Sequence, residues 1–518
     1  MKKLPIGLST LENLRCDSYI YIDKSHHVAN LVDTGGKYFF LSRPRRFGKT
    51  LFLDTLKQAF LGNKLVFDGL YLERHWDWYK QYPVIHLSFG SGLLKTPEQF
   101  AERVHYQLDK HCQNYDLNSA YSDISSRFAD VIEQLFVKFQ HKVVLLVDEY
   151  DKPILDSIDD TVRAKLMRDE LKGLYNVIKD QDSNLRFVFL TGVSKFSKVS
   201  LFSGLNNLND ISLDPQFADI CGYTQSEMEQ AFAEHLIDGQ VDKAKLKLWY
   251  NGYNFSGAEN QKVYNPFDIL LFCSKAYQYR NYWFETATPS FLIKLMETKQ
   301  YDVPEIESIE VSEESLSSFD VDNIPLHTLL FQTGYLTIDE VLTIGTQYGY
   351  RLKYPNLEVK SSLNSHFMQL GTSTYIKNRS LSALNKCFLS KNFDGFKDIF
   401  DAHFASIPHD WYRNNAIGQY EGFYAGIVYS CFTALGWDVK AEDATSKGQI
   451  DLTVKTAEEI LVIEFKLSKN GSAQDAINQI KAKGYADKFK ADERQVYLVG
   501  MSFDEVSKSL SDFIWQPA

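Results

Sequence analysis

Cysteine is scarce in this sequence of 518 residues, and its cysteines are far apart. They lie at positions 16, 112, 221, 273, 387 and 431. No CxxC pair and no His/Cys ligand spacing occurs among them, which argues against a disulfide scaffold and a structural zinc site. We therefore expect a reducing compartment and a cytoplasmic location.

Long apolar runs are also missing. The opening MKKLPIGLSTLENLR has two lysines, but its apolar stretch is shorter than the roughly 7–15-residue core of a signal peptide. The longest runs, such as 143–147 and 460–463, fall short of the about 18 apolar residues that span a bilayer. We expect neither secretion nor a membrane partner.

Basic residues are outnumbered by acidic ones. The chain has 56 Lys and Arg against 67 Asp and Glu, a net charge of −11. This balance argues against attraction of nucleic acid to the whole surface, so any contact with DNA must be local. With 44% hydrophobic residues the composition is that of a globular protein. At roughly 150 residues per domain, its length predicts about three domains.

Short β-branched or aromatic runs alternate with helical patterns in the N-terminal part. The runs cover residues 38–41, 84–88, 143–147 and 187–190. Alternation of this kind predicts an α/β fold in which helices cover a parallel sheet. We place this domain at residues 1–222.

Three further regions follow the predicted sheet. Residues 223–300 are expected to form a helical, lid-like region that starts with a capping box at Thr224 and Glu227. In residues 301–394, an acidic linker or exposed helix at 301–322 precedes a helix and two strands compatible with a winged-helix-like unit. Residues 395–518 carry helices, a hairpin at 449–467 and a final strand at 495–499, which predicts a second α/β domain.

A Gly-Lys-Thr tripeptide joins the first apolar run to a predicted helix of about twelve residues. A helix N-terminus offers free N–H groups to phosphates, the Lys reaches the outer phosphates and the Thr hydroxyl can join a Mg²⁺ shell. By chance alone, about one chain in four or five of this length would contain such a tripeptide. Asp148 and Glu149 end a buried run downstream. They offer a magnesium ligand and a base for the attacking water.

The phosphate-binding pattern GxxxxGK[ST] requires glycine at position 43, where this chain has Arg43. Pro44, Arg45 and Arg46 follow and make the loop stiffer and more cationic. We expect Arg43 and Arg46 to strengthen triphosphate binding or to contact a second polyanion. Thr191, at the end of a neighbouring run, is a candidate sensor of the γ-phosphate. The alternative is a basic strand-to-helix turn without a ligand.

The motifs SRPRRFGKT, LLVDEYDKPI, LTGVSKFSKVSLFSGLNNL, WYNGYNF and VYNPFDI resemble, in this order, the bacterial AAA-ATPase-like family of divergent P-loop ATPases. The family's loop also has Arg in place of the first Gly. The resemblance implies that Gly48, Lys49 and Thr50 bind phosphates and magnesium, with ATP and Mg²⁺ as cofactors. It makes Asp148 the Walker B carboxylate and Glu149 the catalytic glutamate. No arginine finger can be assigned, but a neighbouring subunit of a homo-oligomer could supply one.

Two carboxylates and a lysine lie on the predicted C-terminal hairpin. Because side chains alternate along a strand, Glu464 and Lys466 share one face. If Lys455 pairs with Ile460, Asp451 lies opposite Glu464, and two like charges are unfavourable there unless a cation lies between them. A Mg²⁺ or Mn²⁺ ion held by both carboxylates, with Lys466 orienting or activating a water, suits attack on a phosphodiester.

This Asp-x12-Glu-x-Lys spacing is similar to that of the PD-(D/E)XK nuclease superfamily. The resemblance implies a further metal ligand, Glu421, on the preceding helix and a Gln…Lys…Tyr helix that starts with Gln479. Lys481 and Lys483 on that helix would contact phosphates. DNA is the expected substrate, and RNA is an alternative. A solvated hairpin with a cross-strand Glu/Lys pair would show the same short motif.

The sequence is compatible with two functions. In the first, ATP binding or hydrolysis controls DNA cleavage by Asp451, Glu464 and Lys466. In the second, the protein is a nucleotide-dependent switch or scaffold whose nuclease-like fold binds nucleic acid or a protein without cleaving it. The histidines show no HExxH or paired-ligand pattern, so we do not expect a metal at 26–27 or 409–410.

Overall fold

The structure, a computed structural model, describes residues 1–196, 207–284, 306–307, 309–317, 319–368, 373–407 and 421–518. The chain divides into two units, one formed by residues 1–291 and 308–356 and the other by residues 292–307 and 357–518. None of the helices in the described ranges combines the length and hydropathy needed to cross a bilayer.

A parallel sheet lies at the centre of the first unit, with the strand order β2-β3-β4-β1-β5. Its strands are β1 (Tyr38–Ser42), β2 (Val84–Ser88), β3 (Val143–Asp148), β4 (Leu185–Gly192) and β5 (Asn209–Asp210). All neighbouring strands run parallel, and every residue of β1 and β3 is buried, as expected for a sheet covered by helices. The predicted parallel sheet is confirmed.

Helices alternate with these strands and then follow them. The first group is α1 (Leu11–Cys16), α2 (His26–Asp33), α3 (Lys49–Phe60), α4 (Pro97–Tyr115), α5 (Ile124–Phe139), α6 (Lys152–Leu155) and α7 (Thr161–Asp180). The second group is α8 (Gln225–Ala231), α9 (Ala233–Asp238), α10 (Lys243–Tyr250) and α11 (Pro266–Ser274), with a two-stranded sheet of β6 (Tyr223–Thr224) and β7 (Val263–Tyr264). The predicted capping box is present, since Thr224 and Glu227 each accept the other's backbone N–H.

Helix α4 covers the edge of the parallel sheet. The edge strand β2 donates alternate N–H groups to side chains of this helix rather than to another strand. The bonds run from Val84 N to Tyr115 Oη (3.0 Å), from His86 N to His111 Nε2 (3.1 Å) and from Ser88 N to Gln107 Oε1 (2.6 Å). The three acceptors are spaced four residues apart on α4 and therefore lie on one face. This arrangement protects the edge from pairing with a further strand.

Residues 309–317 and 319–322 of the acidic segment predicted as a linker or exposed helix are folded into the first unit. They contribute β8 (Glu310–Ser312) and α12 (Glu313–Ser317), which precede α13 (Leu326–Thr333), β9 (Thr337–Ile344) and β10 (Gln347–Lys353). The three strands form an antiparallel sheet, β8-β10-β9. Val311 and Leu316 are buried, and Glu310 pairs with Arg351 at 2.9 Å. The predicted exposed helix is present as α12, in which Glu313 and Glu314 are exposed, but the buried apolar residues show that this part of the segment is not a linker.

A mixed sheet lies at the centre of the second unit, in the order β11-β12-β13-β14-β15. The strands are β11 (Asp438–Thr445), β12 (Gly448–Lys455), β13 (Glu459–Leu467), β14 (Gln495–Asp504) and β15 (Ser509–Pro517). Only β13 and β14 run parallel; the other pairs are antiparallel. The helices are α14 (Leu357–Phe367), α15 (Thr374–Leu389), α16 (Gly395–Ala405), α17 (Glu421–Ala434) and α18 (Ala473–Lys483).

The second unit differs from its prediction at both ends. The predicted hairpin is present, with Lys455 opposite Ile460, but β11 and β15 were not predicted, and the strand expected to be last is followed by β15. The predicted domain boundary at 394/395 runs through a single apolar core, in which Leu384 lies with Phe396 and Phe432. Helix α15 shares this core, and the second unit includes both α14 and α15.

Candidate active sites

The loop between β1 and α3 borders a cavity of about 630 Å³. Gly48 is the N-cap of α3 and has φ of 94°, a left-handed conformation that glycine adopts without a steric cost. Lys49 is the first residue of the helix, and its Nζ donates to the carbonyl oxygens of Arg43 and Pro44, both at 2.9 Å. Burial lowers the pKa of Lys49. The free N–H groups of the first turn and this ammonium make the loop electropositive.

Thr50 and Asp148 meet beside this loop. The Thr50 hydroxyl donates to Asp148 Oδ2 at 2.7 Å, whereas Asp148 Oδ1 is buried without a hydrogen-bond partner in the described part of the chain. Burial raises the pKa of Asp148, and the bond from Thr50 and the charge of Lys49 lower it. A buried oxygen without a partner is unfavourable by about 1–3 kcal/mol. A hydroxyl beside a carboxylate is the donor set that holds Mg²⁺ at P-loop nucleotide sites, so these residues fit that ion.

Glu149 follows directly and lines the same cavity. Its φ is 52°, a left-handed value that is uncommon for a residue with a side chain and unfavourable by about 1 kcal/mol or more. Its carboxylate lies close to Gly90, where an added Cβ would be 3.2 Å from Glu149 Oε2. The turn at the end of β3 therefore directs this carboxylate toward the cavity.

Part of the remaining cavity wall is apolar, although Lys24, Lys152 and Asp156 also line it. The apolar part includes side chains from the N-terminal segment and from the region after the sheet: Leu8, Ile22, Tyr223, Phe267 and Leu270. A cavity with an apolar wall and an electropositive loop can accommodate a nucleobase together with a polyphosphate.

A second cluster lies on the hairpin of β12 and β13. Asp451 and Glu464 continue the register in which Leu452 lies opposite Ile463. Asp451 N donates to Glu464 Oε1 at 3.4 Å, and Phe465 N donates to Asp451 Oδ2 at 2.8 Å. The two carboxylates thus lie side by side, as the predicted pairing requires.

Two further side chains contact Glu464. From α18, Gln479 Nε2 donates to Glu464 Oε2 at 2.7 Å, and Lys466 Nζ lies 4.0 Å from the same oxygen. Tyr485 lies near this cluster, since burial and then the charges of Glu464 and Asp451 raise its pKa.

The charge of this cluster is only partly compensated. Glu464 is fully buried; burial and then the Asp451 carboxylate raise its pKa to about 8, although Lys466 lowers it. The protonated form of Glu464 is therefore favoured, because a proton reduces the repulsion between the two carboxylates. A divalent cation held by two carboxylates would displace this proton, so these residues fit a metal ion.

Two family models match the parts of the chain that contain these clusters. A family model described as "Predicted AAA-ATPase", AAA-ATPase-like, matches residues 5–202, and a model of the PD-(D/E)XK nuclease superfamily matches residues 419–512. An uncharacterized protein in the vnfD 5′ region of Azotobacter chroococcum mcd 1 is 45% identical over 516 residues, 99% of this chain and 98% of the relative. The chain belongs to the AAA-ATPase-like family. Its C-terminal domain is of the PD-(D/E)XK nuclease superfamily, so the two domains are of kinds associated with nucleotide binding and with nuclease activity.

In this AAA-ATPase-like chain, Arg43 does not line the cavity. It is 1% exposed, and its guanidinium donates to the carbonyl oxygens of Ser42 (2.9 Å), Ser212 (2.7 Å) and Phe217 (3.0 Å) and lies over the ring of Phe255. Burial lowers the pKa of Arg43 to about 10. The prediction that Arg43 binds phosphate is wrong, because buried carbonyls from distant segments bind its N–H groups.

Thr191 is also not at the cavity. It is fully buried in β4, opposite Leu41 of β1, and its carbonyl oxygen accepts from Tyr150 N. The structure therefore does not bring Thr191 to the cavity lining, and its role as a γ-phosphate sensor stays a prediction. Arg46, in contrast, lines the cavity and is exposed, with its guanidinium over the ring of Phe267.

The residues predicted to contact nucleic acid also differ in their surroundings. Gln479 binds Glu464 rather than facing outward, whereas Lys481 and Lys483 are exposed. Glu421 is the first residue of α17, but its side chain lies outside the described part of the chain, so its role as a ligand stays a prediction. Tyr485 was missed as a member of the site, although it belongs to the Gln…Lys…Tyr pattern.

The histidine pair His26 and His27 lies next to Asp219, a neighbour that is distant in sequence. Ligand atoms of His26, His27 and Asp219 lie within 4.8 Å of one another. Asp219 is already compensated, because Oδ1 is 3.1 Å from His27 Nε2 and Oδ2 is 3.7 Å from Lys24 Nζ. We assign no metal to this group.

Proposed function

We propose that the N-terminal domain binds and hydrolyses ATP with Mg²⁺. The observation that supports this most is the buried Asp148, which accepts from Thr50 with one oxygen and has its other oxygen unpaired among the described residues. In this proposal Gly48 and the first turn of α3 bind phosphates through backbone N–H groups, and Lys49 supplies an ammonium for the outer phosphates.

The remaining residues serve the reaction itself. Thr50 and Asp148 would hold Mg²⁺, which when bound offsets the charge on the phosphates. Glu149 accepts a proton from the attacking water. Arg46 adds positive charge at the cavity rim. A homo-oligomer could supply an arginine finger from a neighbouring subunit.

We further propose that the C-terminal domain cleaves phosphodiester bonds in DNA, and that ATP turnover controls this cleavage. The supporting observation is the pair of adjacent carboxylates, Asp451 and Glu464, one of which is fully buried. They would hold Mg²⁺ or Mn²⁺, which activates water and stabilises charge on the phosphate when bound. Lys466 orients the attacking water, Gln479 holds Glu464 in place, and Lys481 and Lys483 contact the DNA backbone.

Cleavage of end-labelled single- and double-stranded DNA tests this proposal. The wild-type protein is expected to cleave with Mg²⁺ or Mn²⁺ in the presence of ATP. Lys466→Ala should abolish cleavage while nucleotide affinity stays unchanged, and Glu149→Gln should slow phosphate release from ATP. Cleavage that survives Lys466→Ala would remove the assignment of the site. Absence of cleavage by the wild type on both substrates would favour a nucleotide-dependent switch or scaffold instead.

A further inference from the structure

Two segments of the first unit have no role in the proposed function: the residues directly after Glu149 and the residues directly after β4. Tyr150 and Asp151 follow Glu149 in the motif DEYD, and residues 193–196 follow β4. We call residues 193–196 the post-β4 segment. In the structure, the side chains of the first motif are bonded to the backbone of this segment.

Asp151 binds the start of the post-β4 segment. It is 1% exposed, and its Oδ2 accepts from Ser194 N at 2.6 Å and from Val193 N at 3.1 Å. The approach is close, since a Cβ added at Gly192 would lie 2.5 Å from Asp151 Oδ1. A buried carboxylate requires such donors, and charge-assisted bonds of this kind are among the stronger ones in proteins. Asp151 borders the cavity, but its carboxylate is engaged by this backbone.

Tyr150 binds the rest of the same segment. Its hydroxyl donates to Ser194 O at 3.0 Å and accepts from Phe196 N at 3.1 Å. Its ring is fully buried and packs edge-on against Phe40 of β1. Tyr150 and Asp151 therefore fix the backbone that follows Glu149 to the backbone that follows β4.

Glu149 lies between two such attachments. On one side, Asp148 accepts a bond from Thr50, and on the other side Tyr150 and Asp151 are fixed. Because the left-handed backbone of Glu149 is unfavourable by about 1 kcal/mol or more, the flanking contacts must maintain it. Loss of one attachment would let this backbone relax and would move the Glu149 carboxylate.

The post-β4 segment is itself held on its other side. Lys195 N donates to Gln332 Oε1 at 2.7 Å, and Lys195 O accepts from Phe319 N at 3.3 Å. The Lys195 ammonium forms an ion pair with Asp210. The backbone to which Asp151 binds is thus supported by α13, residue 319 and β5.

We propose that Asp151 is a positioning residue for ATP hydrolysis, which holds Glu149 in place by binding the backbone of the post-β4 segment. The inference rests on the proposed function, because it requires ATP turnover with Glu149 as the base.

The test is a double-mutant cycle on ATP hydrolysis. Asp151→Asn keeps the size of the side chain but removes its charge and one acceptor oxygen. We expect kcat to fall by about 10-fold or more, because small displacements of a reacting group have large kinetic effects, while nucleotide affinity changes by less than about 2-fold. Asp123→Asn, at the exposed N-cap of α5, is the matched control and should change neither quantity.

The same substitution is then made in the Glu149→Gln background. If Asp151 acts through Glu149, Asp151→Asn has no further effect on the residual turnover there. An equal fold-loss in both backgrounds, or an unchanged kcat in the single variant, would overturn the positioning role alone. A wild-type protein without ATP turnover would overturn the proposed function and the positioning role together. If Asp151→Asn does not fold, Tyr150→Phe removes one bond from the same attachment and should lower kcat with the same dependence on Glu149.

Discussion

Gln479 donates a hydrogen bond to Glu464 across 2.7 Å, from helix α18 to the strand that carries the nuclease-like motif. Glu464 has no exposed surface, and its other oxygen accepts from the backbone of Asp451. The carboxylate is therefore fixed in orientation before any metal binds.

The first prediction concerns this bond. Gln479→Ala leaves one oxygen of the buried Glu464 without its donor, so we expect metal affinity and DNA cleavage to fall about 10- to 100-fold, as for other residues that orient metal ligands. Titration with Mn²⁺ and the initial rate of cleavage measure the two effects. Gln474→Ala on the exposed face of α18 is the control, and equal behaviour of the two variants would contradict the role given to Gln479.

The second prediction concerns pH. The pKa of Glu464 is raised to about 8 by burial and by Asp451, so folding favours its protonated form. This contribution to stability is present at acidic pH and is lost as pH rises through the folded-state pKa. Without metal, amide exchange in β13 should therefore accelerate as the pH rises from about 5 to about 8, beyond the intrinsic dependence of exchange on pH, and this additional acceleration should level off at higher pH. Glu464→Gln should remove this additional acceleration of exchange. The same additional acceleration in that variant would refute the explanation.

The third prediction separates the two arginines near the phosphate loop. Arg43→Lys leaves buried carbonyls without donors, so we expect the free energy of unfolding of the first unit to fall by about 2 kcal/mol or more. Arg46→Lys retains the charge at an exposed position and should change the free energy of unfolding by less than about 0.5 kcal/mol. Urea denaturation compares the two. Equal stability of both variants would mean that the Arg43 contacts are dispensable.

The fourth prediction concerns the edge of the parallel sheet. Replacing Gln107 and His111 by Leu removes acceptors from β2 and leaves its N–H groups available to another strand. We expect concentration-dependent association in sedimentation velocity. The double variant Gln113→Leu and Asn114→Leu adds the same apolar groups on the exposed face of α4. If it associates to the same extent, exposed leucine and not the free edge is the cause.

The sequence predicted those features of the fold that depend on local pattern. The apolar runs of β1 to β4 identified the parallel sheet, because buried parallel strands are apolar throughout. The register of Asp451 and Glu464 followed from the short loop after Lys455. The position of Glu149 at the cavity followed from its place directly after β3.

Contacts between distant segments were beyond prediction. An arginine beside a phosphate loop is expected to face phosphate, and nothing local shows that carbonyls of Ser212 and Phe217 bind the guanidinium of Arg43 instead. The attachment of Asp151 to Ser194 likewise joins two segments that are separate in sequence. The charge of the acidic segment predicts exposure, whereas apolar residues between the acids, such as Val311, are buried by contacts that the local pattern does not show.

In the proposed nuclease site, the Asp451 and Glu464 carboxylates together bind a metal ion. The most direct test is calorimetric titration of Mn²⁺ at pH 7 in buffers of different ionisation enthalpy. The titration uses an Asp148→Asn background, which removes the carboxylate proposed to bind metal in the N-terminal domain. We predict one bound ion and a net release of protons, because burial and the Asp451 carboxylate raise the pKa of Glu464 and so favour its protonated form before the metal binds. Asp451→Asn should abolish this binding, and Asp438→Asn on the exposed part of β11 should leave it intact. Undiminished binding in Asp451→Asn, or binding without proton release, would contradict the claim.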